Sequence, residues 1–446
     1  MAKSKHKGSI RYDKQKKKEG TSPAATEPQE IAKPAAPVQR QPVTSAPPSP
    51  VVSLEPLAPL IVRSGRPFDA FVGVDEMRFP PPSTIAGCLR TAWARATGHP
   101  FGPDLAKLSV AGPLLVRPDE QGGLRLLAPK PADAHYFGHG DDARCIRAEP
   151  VTFDDGCGAD LPDKLLPLRL SEKIDGKASK GPAWWDWDDL LAFRQVRQPP
   201  SHPDLTRRGW SPPTGDRRTH VAIDAATLAA DSGRLFQTEG MDFAADNPTL
   251  KNPDKPSLRL LVRCTEPLSE GLVYLGGERR LAQLHPEPEA AWPVVPPNWF
   301  KRIVEAGGLT LTLLTPACFD KGYRPGWLDD DLEGTPPELP NLRLRLIAAA
   351  VERWQPHSGW DLATRQPRQT RKLVAAGATY WFCLLGRPSP DALAPLWLSS
   401  LCDLEQDRRD GYGLALPAPW TLSITIQKLP GINIEFFPVE RATQRV

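Results

Sequence analysis

The chain has 446 residues, 40% of them hydrophobic and including 13 Trp, enough for two domains of ordinary size. Its net charge of +3 is uneven: seven Lys and one Arg against Asp13 and Glu19 give residues 1–20 +6, leaving −3 for the rest, so bulk charge does not indicate a nucleic-acid ligand. The seven scattered Cys never form C-x-x-C, which argues against a zinc or disulfide framework, and no apolar run reaches a membrane span, so a soluble cytoplasmic protein with reduced thiols is expected.

Residues 1–52 read as a disordered tail, a lysine block followed by a Pro/Ala-rich stretch too poor in apolar residues to offset its ordering entropy. Over 54–98 an extended segment, a basic glycine turn with Arg63 and Arg66, and a proline bend lead into a helix. Its apolar positions Ile85, Cys88, Leu89, Ala92, Trp93 and Ala96 follow helical spacing, with Gly87, Arg90 and Ala94 opposite. Ser83 or Thr84 is the expected cap, and Gly98 and Pro100 the stop. Free amides and the helix dipole make that start a place for an anion, although on these residues alone an ordinary capped helix packed on a sheet is the commoner reading.

GPLLVRPDEQGGLRLLAPKP predicts two strands joined by a Gly-Gly turn, and 131–218 an irregular insertion covering a ligand or partner. Within it His135, His139 and Asp141 lack the spacing and further ligands of a metal site. Trp184, Trp185 and Trp187 with Asp186 and Asp188 read as an aromatic plug with solvated acids rather than a sugar site. RTHVAID, GRLFQTEGMDF, SLRLLVRC and LVYLGGERRLAQL continue as strands. In the last of these Gly276 and Gly277 precede Glu278, Arg279 and Arg280, a turn that brings backbone and phosphate donors together.

The last third restarts the pattern. GLTLTLLTPACF is a strand, LRLRLIAAAVERW strand or helix, KLVAAGATYWFCLL a strand around Gly377, PDALAPLWLSSLCDL a helix, and DGYGLALPAPW a glycine-led strand. The two halves suggest α+β units of antiparallel sheet with helices on one face. Between them Trp360, Arg365, Arg368, Arg371 and Lys372 set an aromatic beside cations, the equipment for holding single-stranded RNA, or a solvated loop.

Taken in order, PLAPLIVRSGRPF, FPPPSTIAGCLRTAW, GRLFQTEGMDF, LGGERRLAQL, LLTPACF, SGWDL, AAGATYWF and DGYGLAL resemble the RAMP-superfamily third subunit of type III-B CRISPR (Cmr) effectors, over roughly 54–420. Ala58 stands where that family often has Asp. The resemblance implies two ferredoxin-like domains, here 53–290 and 291–427, with 428–446 an extension. It implies an antiviral ribonucleoprotein in which this subunit holds the 5′ handle of the crRNA and contacts the large polymerase-like signature subunit and backbone RAMP subunits, without cofactor, metal, membrane or small-molecule substrate. Carried onto this chain, the RNA-binding candidates are Arg63, Arg66, Ser83, Thr84, Arg90, Gly276, Gly277, Glu278, Arg279, Arg280, Gly411, Tyr412 (a stacking ring) and Gly413, beside Trp360, Arg365, Arg371 and Lys372 from the loop. No catalytic residue is expected. A metal-independent ribonuclease would rest on His220 or Tyr412, and a purely protein-binding scaffold on the −3 of residues 21–446.

Overall fold

The computed structural model describes residues 46–62, 74–75, 77–119, 121–154, 156–162, 164–195, 199–243, 257–361 and 366–421. Arg63, Arg66, Arg365 and the extension 428–446 lie outside the described residues, as does nearly all of the expected tail. Its last residues do not: strand Ser49–Pro56 begins at Ser49, because Val51, Val52 and Leu54 are wholly buried and carry the chain into the core.

Two antiparallel sheets organise the molecule, and all described elements belong to one compact unit. In the first, the strands run in space Leu281–Pro286, Ser49–Pro56, Arg259–Leu268, Val110–Pro118, which is the order 4-1-3-2 by position in the chain. In the second, Ala415–Pro419, Gly308–Leu313, Thr379–Leu384 and Leu344–Ala350 repeat that order. The α+β class read from the sequence is therefore what the chain builds.

The sheet faces follow from period-two alternation. In Thr379–Leu384 the side chains of Tyr380, Phe382 and Leu384 join one apolar cluster, while Trp381 and Cys383 join another on the opposite face. Both faces are covered, so all six residues are buried. The hairpin expected after Gly98 is present as Val110–Pro118 paired with Leu124–Pro129. LRLRLIAAAVERW resolves to strand, Leu344–Ala350.

Helix α1, Pro82–Thr97, starts and stops near the expected positions, with Gly98 in the left-handed conformation closing it. Its N-cap is Pro81 without a side-chain capping bond, and Ala94, expected on the open side, is buried. The stretch 131–218 departs furthest from expectation. It forms a three-stranded sheet (Ala134–Phe137, Arg144–Pro150, Leu168–Leu170), the strand Trp184–Asp186 that extends the first sheet, α2 (Trp187–Gln195) and α3 (His202–Arg208). Trp185 and Phe193 are wholly buried and meet edge to face at 5.2 Å. The acids around them are not solvated alike. Asp186 is buried and accepts from the Asp188 amide at the start of α2, and Asp189 pairs with Arg208, while Asp188 is exposed. Asp133 and Arg194 form a bidentate pair at 2.7 and 2.8 Å, nearly free of solvent, and Arg194 also donates to Thr379 of the second sheet at 2.8 Å.

In the second half, α4 (Trp299–Ala306) precedes the first strand. The expected strand around Gly377 breaks into Arg371–Leu373 and Thr379–Leu384. Gly377 turns at φ +92°, and its carbonyl accepts from the Ala132 amide at 2.8 Å, in a place where a Cβ would lie 2.3 Å from the Lys130 carbonyl oxygen. The expected helix at PDALAPLWLSSLCDL shrinks to α5, Pro390–Leu393, and one 3-10 turn, Ala394–Leu396, because Pro395 supplies no amide to continue it. Helix α6, Glu405–Asp410, lies just beyond, with acids in its first turn and Arg408 and Arg409 in its last.

Candidate nucleic-acid interface

The start of α1 meets α6 and the loop 411–413 at a small cavity of about 40 Å³, walled by Ser83, His357, Ser358, Gly359, Arg368, Gln369, Arg371, Asp407, Asp410 and Tyr412. Ser83 Oγ lies 2.8 Å from the Tyr412 hydroxyl, which lies 2.9 Å from His357 Nε2. Burial, then the cations of Arg371, Arg78 and Arg368, push the His357 pKa down to about 4, so the ring is neutral near pH 7. Arg371 holds Asp407 in a two-pronged pair, and that hydrogen bond raises its pKa further. The cavity has room for a few waters, enough for a hydroxyl or a phosphate oxygen and too little for a base.

Several expected contacts take other roles. Arg90 points inward. It donates to Asp410 at 2.6 Å and to the carbonyls of Ala106, Leu108 and Arg409, so its guanidinium braces α1 against α6 instead of meeting a phosphate. Tyr412 is 3% exposed, so it offers a base no face to stack on. The Ser83 hydroxyl serves this cluster and not a helix cap, and Thr84 donates its amide to Pro81 O at 3.0 Å. Gly411 sits at φ +91°, and a Cβ there would stand 2.4 Å from the Gly112 carbonyl oxygen. The glycine is required where the second half's loop lies on the first half's strand. Gly413 donates its amide to Pro316 O at 2.8 Å.

The glycine–arginine turn is tied to the chain just after the first strand. The Gly277 amide donates to Ile61 O at 2.7 Å, immediately before the basic segment of Arg63 and Arg66. Gly276, Glu278 and Arg279 all take positive φ, Arg280 pairs with Glu278 at 3.0 Å, and Glu278 also lies 3.3 Å from His220. Arg279 is exposed and makes no ion pair or hydrogen bond among the described residues. Five hydrogen bonds, joined by short stretches of chain, lead from turn to cavity: Gly277 to Ile61 O, Leu60 to Met241 O, Met77 N to the Glu239 carboxylate, Arg78 to Pro356 O, and Tyr412 with His357. Ser358, Gly359, Arg368, Gln369 and Arg371 supply the far wall, where the Arg368 amide donates to Gly359 O at 2.7 Å and Trp360–Asp361 pairs with Gln366–Pro367. Lys372 stacks over the exposed Trp354 ring at 5.2 Å.

Sequence reasoning passed over His357, Arg78, Asp407 and Asp410. The only trace of His357 is its place one residue before the SGWDL stretch. Among the described residues no three His, Cys, Asp or Glu side chains converge to hold a metal ion. Half-buried His135 has its pKa lowered, mainly by burial.

Two antiparallel sheets of the same 4-1-3-2 strand order, with helices packed on them, define an α+β class of protein without settling which member this is. The comparisons supply the rest: the CRISPR-associated protein family Cas_Cmr3 matches residues 52–420, and the chain belongs to it. No curated protein matches. Two solved structures are similar, cryo-EM structures of the type III-B Cmr-beta complex bound to cognate target RNA, one of them also bound to AMPPnP. Each is 15% identical and covers 74% of this chain and 86% of its own, with TM-scores of 0.40 and 0.41.

Proposed function

We propose that this Cmr-family protein is a non-catalytic subunit that holds the 5′ handle of a crRNA and docks the large signature subunit and the backbone subunits of its effector complex. The observation that carries this reading is that the chain segments 60–61, 239–241, 77–78 and 356–357, tied to one another by hydrogen bonds, connect the Gly277 turn to the Tyr412 cavity, with Arg279 exposed on the turn and Arg368 exposed in the cavity wall. Exposed guanidinium groups suit phosphates. The small Ser83–Tyr412–His357 cavity suits a single 2′-hydroxyl, the group that separates RNA from DNA. His220, in the middle of its strand, lies 2.9 Å from Thr238 and 3.3 Å from Glu278, contacts that suit a structural histidine.

A crRNA carrying a photoreactive uridine at each handle position tests this in the assembled complex. Crosslinks are expected within 276–280 and 358–372. Crosslinks confined to other subunits would overturn RNA holding and leave the protein-scaffold reading. Cleavage of handle-containing precursor by the purified chain, lost in His220→Ala, would overturn the non-catalytic assignment.

A further inference from the structure

We propose, resting on the RNA-holding reading above, that Trp354 is a stacking platform for one unpaired base of the bound RNA, with Arg353 and Lys372 meeting the phosphates beside it. Tyr412, the ring expected to stack, is buried against Ser83 and His357 and closed to a base. Trp354 is open. It is 48% exposed, while the other described tryptophans are buried or half-buried. Tryptophan is a residue that folding normally covers, so one left in water points to a contact made outside the chain.

The ring stands beside the cavity by construction. Gln355–His357 pairs antiparallel with Arg371–Leu373, with His357 opposite Arg371 and Pro356 opposite Lys372. Side chains alternate across such a ribbon. His357 and Arg371 line the cavity, and Lys372, on the reverse face, reaches back over the Trp354 ring, its Nζ 5.2 Å from the centroid. A cation on one face of an indole leaves the other for a base. Three residues of extended chain separate Trp354 from His357, roughly 10 Å at most, so one RNA strand that crosses the ribbon can meet both.

Charge favours RNA over a protein as the occupant. Arg353 and Lys372 are exposed and make no ion pair among the described residues, and the adjoining acid, Glu352, lies 3.6 Å from Lys130. Arg78, Arg368 and Arg371 add positive charge around His357. Aromatic rings interleaved with cations are what grooves for single-stranded RNA use, the rings taking bases and the cations phosphates.

The assembled complex tests this, with crRNA carrying 2-aminopurine, whose fluorescence falls on stacking, at each handle position in turn. One position is expected to be quenched with the native chain. Trp354→Ala and Trp354→Leu should restore its brightness and weaken handle binding at least about fivefold, while Trp354→Phe keeps most of both. The slope of log K against log salt should stay unchanged in these variants and fall by about 0.7 in Lys372→Ala. Equal affinity in the native chain and all three Trp354 variants, with no position brightened, would overturn the stacking role and leave RNA holding standing. Lost assembly with unchanged RNA affinity would overturn it and assign Trp354 to a subunit contact. A handle that crosslinks nowhere on this chain would overturn both readings.

Discussion

Arg90 of α1 and Asp410 of α6 meet at 2.6 Å, with their side chains only 12% and 6% exposed. A cation on the first half is thereby fixed to the carboxylate next to the second half's glycine loop. Removing one partner of a buried pair strands the other charge. Arg90→Ala is expected to lower unfolding free energy by about 3 kcal/mol in urea titrations. The salt dependence of RNA binding is expected to stay unchanged, because the lost cation faces protein.

Arg279→Ala is expected to do the reverse. The side chain is exposed and pairs with nothing among the described residues, so stability should hold while the slope of log K against log salt falls by about 0.7, the single-strand value for one phosphate. Arg280 is only 13% exposed and tied to Glu278, so Arg280→Ala should loosen the turn and change the slope less. Filter binding of handle RNA across a salt series distinguishes the two.

His357 gives the fold a pH dependence with a definite sign. Its folded pKa of about 4 lies below the ordinary histidine value, so between about pH 4 and 6.5 the unfolded chain binds a proton that the folded chain refuses. Stability is full above pH 6.5 and declines as pH falls toward 4, by at most about 3 kcal/mol. His357→Gln should remove that share of the decline in thermal melts taken at pH 7 and pH 5.

Glycine substitutions separate packing from backbone freedom. Gly411→Ala places a Cβ 2.4 Å from Gly112 O at positive φ, and is expected to cost more than about 3 kcal/mol or to prevent folding. Gly87→Ala, on the open face of α1 with nothing within 4 Å, is expected to stabilise by about 0.5 kcal/mol. Chemical denaturation of the two variants gives both signs.

Strands were legible where short apolar runs stood between glycine or polar turns, as in GRLFQTEG and LVYLGGERRLAQL, because such runs are too short for a helix and are bounded by turn residues. The stretch 131–218 was not, since its strands are short and its core is made by Trp185, Phe193 and Leu205 meeting across distant positions. Helix α6 escaped for a related reason: EQDRRD has no apolar stripe, and α6 is held by Asp407 and Asp410 reaching Arg371 and Arg90. The site showed the same division. Arginines and glycines marked the right loops, while their individual duties depended on partners hundreds of residues away, as the tie between Arg90 and Asp410 shows.

The Asp133–Arg194 pair, through its third bond to Thr379, determines how this chain can be shortened. A deletion between the first and second sheets that removed Arg194 would leave a carboxylate sealed in oil; one that removed both would leave Thr379 facing a hollow. Any trimmed variant must therefore take out the whole span with a fresh apolar patch in its place, or spare these two residues and prune only the turns around them.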